Sequence, residues 1–316
     1  MQGEKKEKGV RIERMNLNRL FRILIIFMLM VTSCTLKEVP PVQVPPPVLP
    51  PPKPAKIALV LGAGSSKGFA HIGVLKILES NKIPIHMIIG TSVGSVVGSL
   101  YAYGYDAFQL QKISFSIEKG DIVDLTIPDN GFIKGEKLEE FVNKTLKYTP
   151  IEKLKIPFYA VATDIQNGQE IVFGRGNTGQ AVRASCSIPG VFRPVKIGDK
   201  MYVDGGVVSP VAVDAAKRFG ADIVIAVDIS TEVEQAFPGN TVETILQSLN
   251  IMYSKLASVQ LSQADVVIKP KVGHIGSADF SKRHEAILEG EKAAIEALPQ
   301  IMKIVTQLRE EGRLGG

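Results

Sequence analysis

Ile85-His86-Met87-Ile88-Ile89-Gly90-Thr91-Ser92-Val93-Gly94 decides how this chain folds. The apolar run Ile85 to Ile89 reads as a buried strand, and the small residues from Val93 to Ala102 read as a helix packed tightly beneath a sheet. Between them Gly90-Thr91-Ser92-Val93-Gly94 has the form Gly-x-Ser-x-Gly. In such an elbow a serine sits in strained backbone between strand end and helix N-terminus, and flanking glycines remove Cβ atoms that would collide. The hydroxyl of Ser92 then projects into a cleft and is a candidate nucleophile. Ser95 and Ser99, farther along the helix, read as structural.

One strand earlier, Ile57-Ala58-Leu59-Val60-Leu61 is followed by Gly62-Ala63-Gly64-Ser65-Ser66-Lys67-Gly68 and a helix over about 67–81. A glycine-rich loop before a helix presents free N–H groups and the positive end of the helix dipole, which suits a phosphate or a reaction oxyanion. A dinucleotide fingerprint needs glycine where Lys67 stands and an acidic residue where Ile88-Ile89-Gly90 ends the next strand. A P-loop needs Lys and Ser/Thr after Gly68, where Phe69 stands. Two successive parallel strands bring this loop and Ser92 to one sheet edge, so Gly62, Ala63, Gly64, Ser65 and Ser66 form the expected oxyanion hole.

A nucleophilic serine needs a base, and the chain has four histidines, His71, His86, His274 and His284. His71 and His86 read as packing or surface residues. His274 completes the chain order Ser92, Asp204, His274 of an α/β-hydrolase, but that fold places its nucleophile after several strands rather than the second. Asp204 is preferred. Val203-Asp204-Gly205-Gly206 ends a short strand, and the two glycines let another element approach closely. Asp199 in Ile197-Gly198-Asp199-Lys200 has the look of hairpin turn chemistry, and Asp228 that of a structural residue.

These pieces, with Phe-Ala-His-Ile-Gly-Val-Leu after Gly68 and Ala184-Ser185-Cys186-Ser187-Ile188-Pro189 with Phe192 and Pro194, resemble the patatin-like phospholipases. The resemblance covers nearly all of the chain after the proline-rich segment. It implies a Ser92–Asp204 dyad acting on acyl esters of lipids without metal or other cofactor. It also implies an α/β fold of three layers, α/β/α, with a central mainly parallel sheet. Lys67, Gly68, Gly90, Gly94, Gly205 and Gly206 match the family's motif positions. Ala63 and Ser65 depart from a loop that often has consecutive glycines, and either is strained if its position requires positive φ.

The remaining chain is less specific. Residues 104–156, with Phe108, Leu110, Ile113 and Phe115, form either a cap over an acyl chain or a peripheral helical layer. Strands are expected at 157–163, 170–173, 200–203, 223–229 and 265–268, and a closing helix over about 284–309. From Val242, the residues Ile245, Leu249, Met252, Leu256 and Val259 recur as the apolar stripe of a helix.

The N-terminal 33 residues carry seven Lys or Arg against three Glu, so most of the formal charge of +5 belongs to them. With no basic cluster elsewhere and no Trp, no nucleic-acid partner is expected. Basic residues, the short apolar run Ile23 to Val31 and Thr32-Ser33-Cys34 resemble a lipoprotein signal with lipid modification at Cys34, a compact start lying at Met15. The expected organisation is a signal over 1–33, lipidated Cys34 and a proline-rich linker over 34–55, a catalytic core over 56–230, and 231–316 completing the same domain. Some 20 linker residues in polyproline geometry reach roughly 60 Å. Only Cys186 is left for the domain, where it reads as a small buried residue. The expected activity is phospholipase A or lysophospholipase chemistry on a phospholipid or lysophospholipid, at a bacterial envelope membrane. An acyltransferase on the same fold and a non-catalytic lipid-binding lipoprotein are the alternatives.

Overall fold

A computed structural model describes residues 17–31, 52–127, 131–230 and 239–314. The chain divides into two compact units, residues 1–50 and 51–316. In the first, helix α1 (Leu17–Val31) takes up the apolar run. Its 15 residues span about 22 Å at the usual rise, short of a bilayer core. No helix among the described residues is long and apolar enough to cross a membrane. Cys34 and the linker as far as residue 51 lie outside the described residues.

The second unit is built on eight strands among the described residues: β1 (Ile57–Leu61), β2 (Met87–Thr91), β3 (Phe158–Asp164), β4 (Glu170–Phe173), β5 (Val195–Ile197), β6 (Lys200–Asp204), β7 (Ile223–Val227) and β8 (Val266–Ile268). Pairing runs β5-β6-β3-β2-β1-β7-β8, with β4 also on β3. The contacts β3·β2, β2·β1, β1·β7 and β7·β8 are parallel; β4 and β6 run antiparallel to β3. All five residues of β1 and of β2 are buried, as continuous apolar runs demand of strands covered on both faces.

Helices cover the two faces. On one side lie α2 (Phe69–Ser80), α3 (Val93–Tyr103), α4 (Ala107–Ser116), α6 (Glu136–Thr145), α7 (Thr178–Ser185) and α10 (Arg283–Glu310), while the short α5 (Lys119–Ile122) follows α4. On the other lie α8 (Val213–Arg218) and α9 (Thr241–Leu261). The pleat of β1 divides accordingly: Ile57, Leu59 and Leu61 enter the first core, and Ala58 and Val60 the second. This is the expected three-layer arrangement with a mostly parallel sheet. Helix α10 closes on α2 at two glycines, since a Cβ on Gly73 would meet Ile287 O at 1.9 Å and one on Gly290 would meet Ala70 O at 2.0 Å.

One expectation is corrected. The buried residues of α9 are Tyr253 and Ala257, whereas Met252 and Val259 of the expected stripe are 48% and 68% exposed. The inward seam is offset by one residue and carries polar groups. Gln260 accepts from Val211 N (3.1 Å) and donates to Val208 O (3.2 Å). Hydropathy alone missed this seam because it combines the small Ala257, buried in the second core, with Tyr253 and the hydrogen bonds of Gln260 to a loop, none of which ranks as strongly apolar.

Candidate active site

The register of β3 explains how Ser92 and Asp204 meet. Residues 158–161 of β3 pair with β2, residues 160–163 with β4, and residues 162–164 with β6. A strand has two edges, so β2 and β6 share the edge opposite β4 and approach from opposing directions. β2 ends with Thr91 opposite Val161, and β6 ends with Asp204 opposite Ala162. Gly205 permits the junction: a Cβ there would stand 2.2 Å from Val161 O and 3.1 Å from Thr91 Cγ2.

At this junction Ser92 Oγ donates to Asp204 Oδ2 at 2.6 Å, with both residues buried. Ser92 has φ 54°, ψ −127°, a positive φ that a non-glycine residue adopts only when its surroundings hold it there. Ser92 N donates to Ser185 Oγ (2.9 Å), which donates in turn to Val161 O (2.5 Å). Ser95 donates from both N and Oγ to Ser92 O, at 2.8 and 2.6 Å. Gly94 lets α3 start against β1, since a Cβ there would lie 2.1 Å from Leu61 O. Ser185 was not singled out from the sequence, although it stands inside the Ala184–Pro189 segment that carries the resemblance.

Asp204 is fixed equally firmly. Its N donates to Ser187 O (2.8 Å), its carbonyl accepts from Thr163 Oγ1 (2.9 Å), and its Oδ1 accepts from Gly206 N (2.7 Å). Burial pushes the carboxyl up from the ordinary 3.8 to about 7, opposed in part by the Ser92 and Gly206 donors and by the Tyr253 hydroxyl beside it. Such a carboxylate has a proton affinity suited to general-base work at neutral pH. Beside it the Cys186 thiol is pushed upward, first by burial and then by the Asp204 charge, so it stays protonated.

The glycine-rich loop presents fewer donors than expected. Gly62 N donates to Val227 O (3.0 Å) and Ala63 N to Pro210 O (2.9 Å), which removes both from the expected oxyanion set. Ser66 N reaches Ser277 O at 3.3 Å. The N–H groups of Gly64 and Ser65 find no hydrogen-bond partner among the described residues. Ser65 has φ 53°, so one of the two departures in this loop does occupy left-handed backbone, while Ala63 does not. Lys67 is buried, and its N donates to Gly64 O at 3.2 Å.

The histidines part company here. His71 is fully buried with its Nε2 2.9 Å from Gly62 O, and burial lowers its pKa to about 4. Neutral and donating through Nε2, it clasps the loop from the first turn of α2, a role its place in the apolar sequence did not suggest. His274 does not complete a triad: its Nε2 pairs with Glu285 Oε1 at 2.6 Å in an exposed pair. Asp228 is a structural residue at the end of β7, its Oδ1 accepting from Ser230 N at 2.9 Å. Among the described residues no group of three or more His, Cys, Asp or Glu could hold a metal ion.

Ser92 opens onto a cavity of about 320 Å³. Its walls are apolar: Val96 and Leu100 from α3, Leu110 and Ile113 from α4, Ile188, and Leu246 from α9, with Ser65 and Ser66 at the loop end. Part of the 104–156 region therefore lines the cavity, while Phe108, Leu125 and Ile127 face outward, 66%, 78% and 86% exposed.

Residues 59–217 match the family model of the patatin-like phospholipases. Lysophospholipase NTE1 of Pyricularia oryzae is 28% identical over 291 residues, covering 82% of this chain and 19% of that protein. An uncharacterized NTE family protein of Mycobacterium tuberculosis is 36% identical over 177 residues, covering 55% and 49%. The chain thus spans about half or less of the length of these curated relatives. Among solved structures, VipD from Legionella pneumophila aligns with a TM-score of 0.45 at 15% identity, covering 78% of this chain and 67% of that one. The matched segment begins within β1 and runs past Asp204, taking in the glycine-rich loop, the elbow and the Asp-Gly-Gly turn; this chain belongs to the patatin-like phospholipase family.

Proposed function

We propose that this protein is a serine lipid acyl hydrolase working through Ser92, Asp204 and an acyl-serine intermediate. The observation that carries this reading is the buried 2.6 Å hydrogen bond from Ser92 Oγ to Asp204 Oδ2 at an apolar cavity. Asp204 takes the Ser92 proton as Oγ attacks the ester carbonyl, and the N–H groups of Gly64 and Ser65 receive the oxyanion. Collapse breaks the bond to the leaving alcohol, which takes the proton from Asp204. Water then attacks the acyl-serine, Asp204 accepts its proton and returns it to Oγ, and the fatty acid departs. The cavity walls suit an acyl chain, and the lysophospholipase name of a relative makes phospholipids and lysophospholipids the first substrates to try. The test is release of fatty acid from a panel of these lipids, with a fluorophosphonate as probe of Ser92. Labelling confined to Ser92, with hydrolysis, supports the reading; folded protein that neither labels nor hydrolyses overturns it.

His274→Ala separates the dyad from a triad. Its activity should stay within about twofold of wild type, because only an exposed contact with Glu285 is lost; loss of turnover in a folded variant would transfer the base role to histidine. Membrane tethering through Cys34 is part of the same proposal and rests on the sequence pattern alone. Intact mass of the membrane-extracted protein should begin at a lipid-modified Cys34, and Cys34→Ala should release the protein from the membrane fraction.

A further inference from the structure

We infer that Tyr253 is a positioning residue for the second half of the reaction, its hydroxyl being the donor that holds the Asp204 carboxylate once Ser92 has been acylated. The inference rests on the proposed Ser92–Asp204 chemistry.

Tyr253 lies in the inward seam of α9, beyond the matched segment, and is 6% exposed. Its buried hydroxyl finds no hydrogen-bond partner of ordinary geometry among the described residues. A phenol is buried in that condition at a cost, so its position calls for a reason. The Asp-Gly-Gly turn supplies one. A Cβ on Gly206 would stand 2.5 Å from Tyr253 Cζ and 3.0 Å from Asp204 Oδ1, so the ring and the carboxylate flank the one small volume that glycine leaves open. The helix is strapped in this register by Gln260, which donates to Val208 O and accepts from Val211 N just beyond the turn. Burial, then the Asp204 charge, keeps the phenol protonated and able to donate.

In the resting site two donors of ordinary geometry reach the carboxylate, Ser92 Oγ and Gly206 N, and the Tyr253 hydroxyl lies beside it as a third, less well aligned. Acylation turns Ser92 Oγ into an ester oxygen with no proton to give. When Asp204 hands its proton to the leaving alcohol it becomes a buried anion with one of these two donors left, a costly state. The groups facing it are then Gly206 N–H on its own turn, the protonated Cys186 thiol after α7, and the Tyr253 hydroxyl from α9. Rotation about Cζ–O turns the phenol proton toward the carboxylate. The anion is thereby kept available to accept a proton from water as the water oxygen bonds to the acyl carbon and the bond to Ser92 Oγ breaks.

Tyr253→Phe keeps the ring and removes the donor. With a 4-nitrophenyl ester as probe, kcat at neutral pH should fall about tenfold and its acidic limb should move up by about one pH unit. Intact mass of the quenched enzyme during turnover should show acyl-Ser92 accumulating beyond wild type. Fluorophosphonate labelling, which needs no deacylation, should stay within about threefold of wild type and reports a folded site. A kcat within twofold, or a reduced kcat with the limb unmoved and no acyl-enzyme build-up, overturns the inference. Asp204→Asn in the same series distinguishes the claims: if it turns over normally the dyad itself is wrong, whereas an inert Asp204→Asn beside a wild-type-like Tyr253→Phe overturns only the role of Tyr253.

Discussion

Replacing Ser92 with Ala, or Asp204 with Asn, is expected to lower kcat/KM for ester hydrolysis by about 10,000-fold or more, and the double variant to be no slower than either alone. In the proposed reaction the hydroxyl passes its proton to the carboxylate along the buried 2.6 Å hydrogen bond, so the two should act as a unit and removing either member should remove the same transition state. Asn in place of Asp204 keeps the shape and can still accept from Gly206 N through its amide oxygen, but it then turns an NH2 donor toward Ser92 Oγ and cannot take a proton. In wild type, activity should fall as pH drops through about 7, because the base must be ionised and burial has raised its pKa to that value. Fatty-acid release measured against pH for the four proteins checks this. An Asp204→Asn variant within tenfold of wild type, or losses that multiply in the double variant, would sink the dyad.

Gly94→Ala should have the second largest effect, and on stability rather than chemistry. The added methyl would lie 2.1 Å from Leu61 O and 2.8 Å from Gly62 O, all backbone on β1 and the loop that follows it. Backbone at a sheet centre cannot move aside, so α3 must lift and carry Ser92 with it. The expected loss is about 3 kcal/mol, the upper range for overpacking, with a fall of about 10 °C in Tm. Gly98→Ala on the same helix is the control. There the new methyl meets side chains rather than backbone, Ile88 at 3.0 Å and Phe158 at 3.1 Å, which need give only a few tenths of an ångström, and the gain in helix propensity of up to about 1 kcal/mol should offset the crowding. Equal melting temperatures for the two variants would show that the close contact of α3 with β1 does not govern the elbow.

The parts of this site legible in the sequence are those whose physics is local. Gly90 and Gly94 around Ser92 announce an elbow because only a residue without a Cβ fits there, and the Asp204-Gly205-Gly206 turn ends a strand for the same kind of reason. The apolar runs that become β1, β2 and β7 are readable because strands buried on both faces need no alternation. What was not legible depends on partners distant in sequence. Gly62 and Ala63 look like anion donors until Val227 O and Pro210 O occupy their N–H groups. His71 looks like core packing until Gly62 O is found beside its ring. The stripe of α9 pointed one residue away from Tyr253 because hydropathy ranks Met252 above the polar residues that grip the loop.

The head-on meeting of β2 and β6 makes β3 a ruler for the reaction. Thr91, which precedes the proposed nucleophile, and Asp204, the proposed base, pair with neighbouring residues, Val161 and Ala162, of a strand that contributes neither group. Lengthening that strand by one residue at this point would open the gap by about 3.3 Å, enough to end proton transfer with both reactive groups intact. On the proposed chemistry, the spacing between the two reactive groups is thus set by one peptide link in a bystander segment.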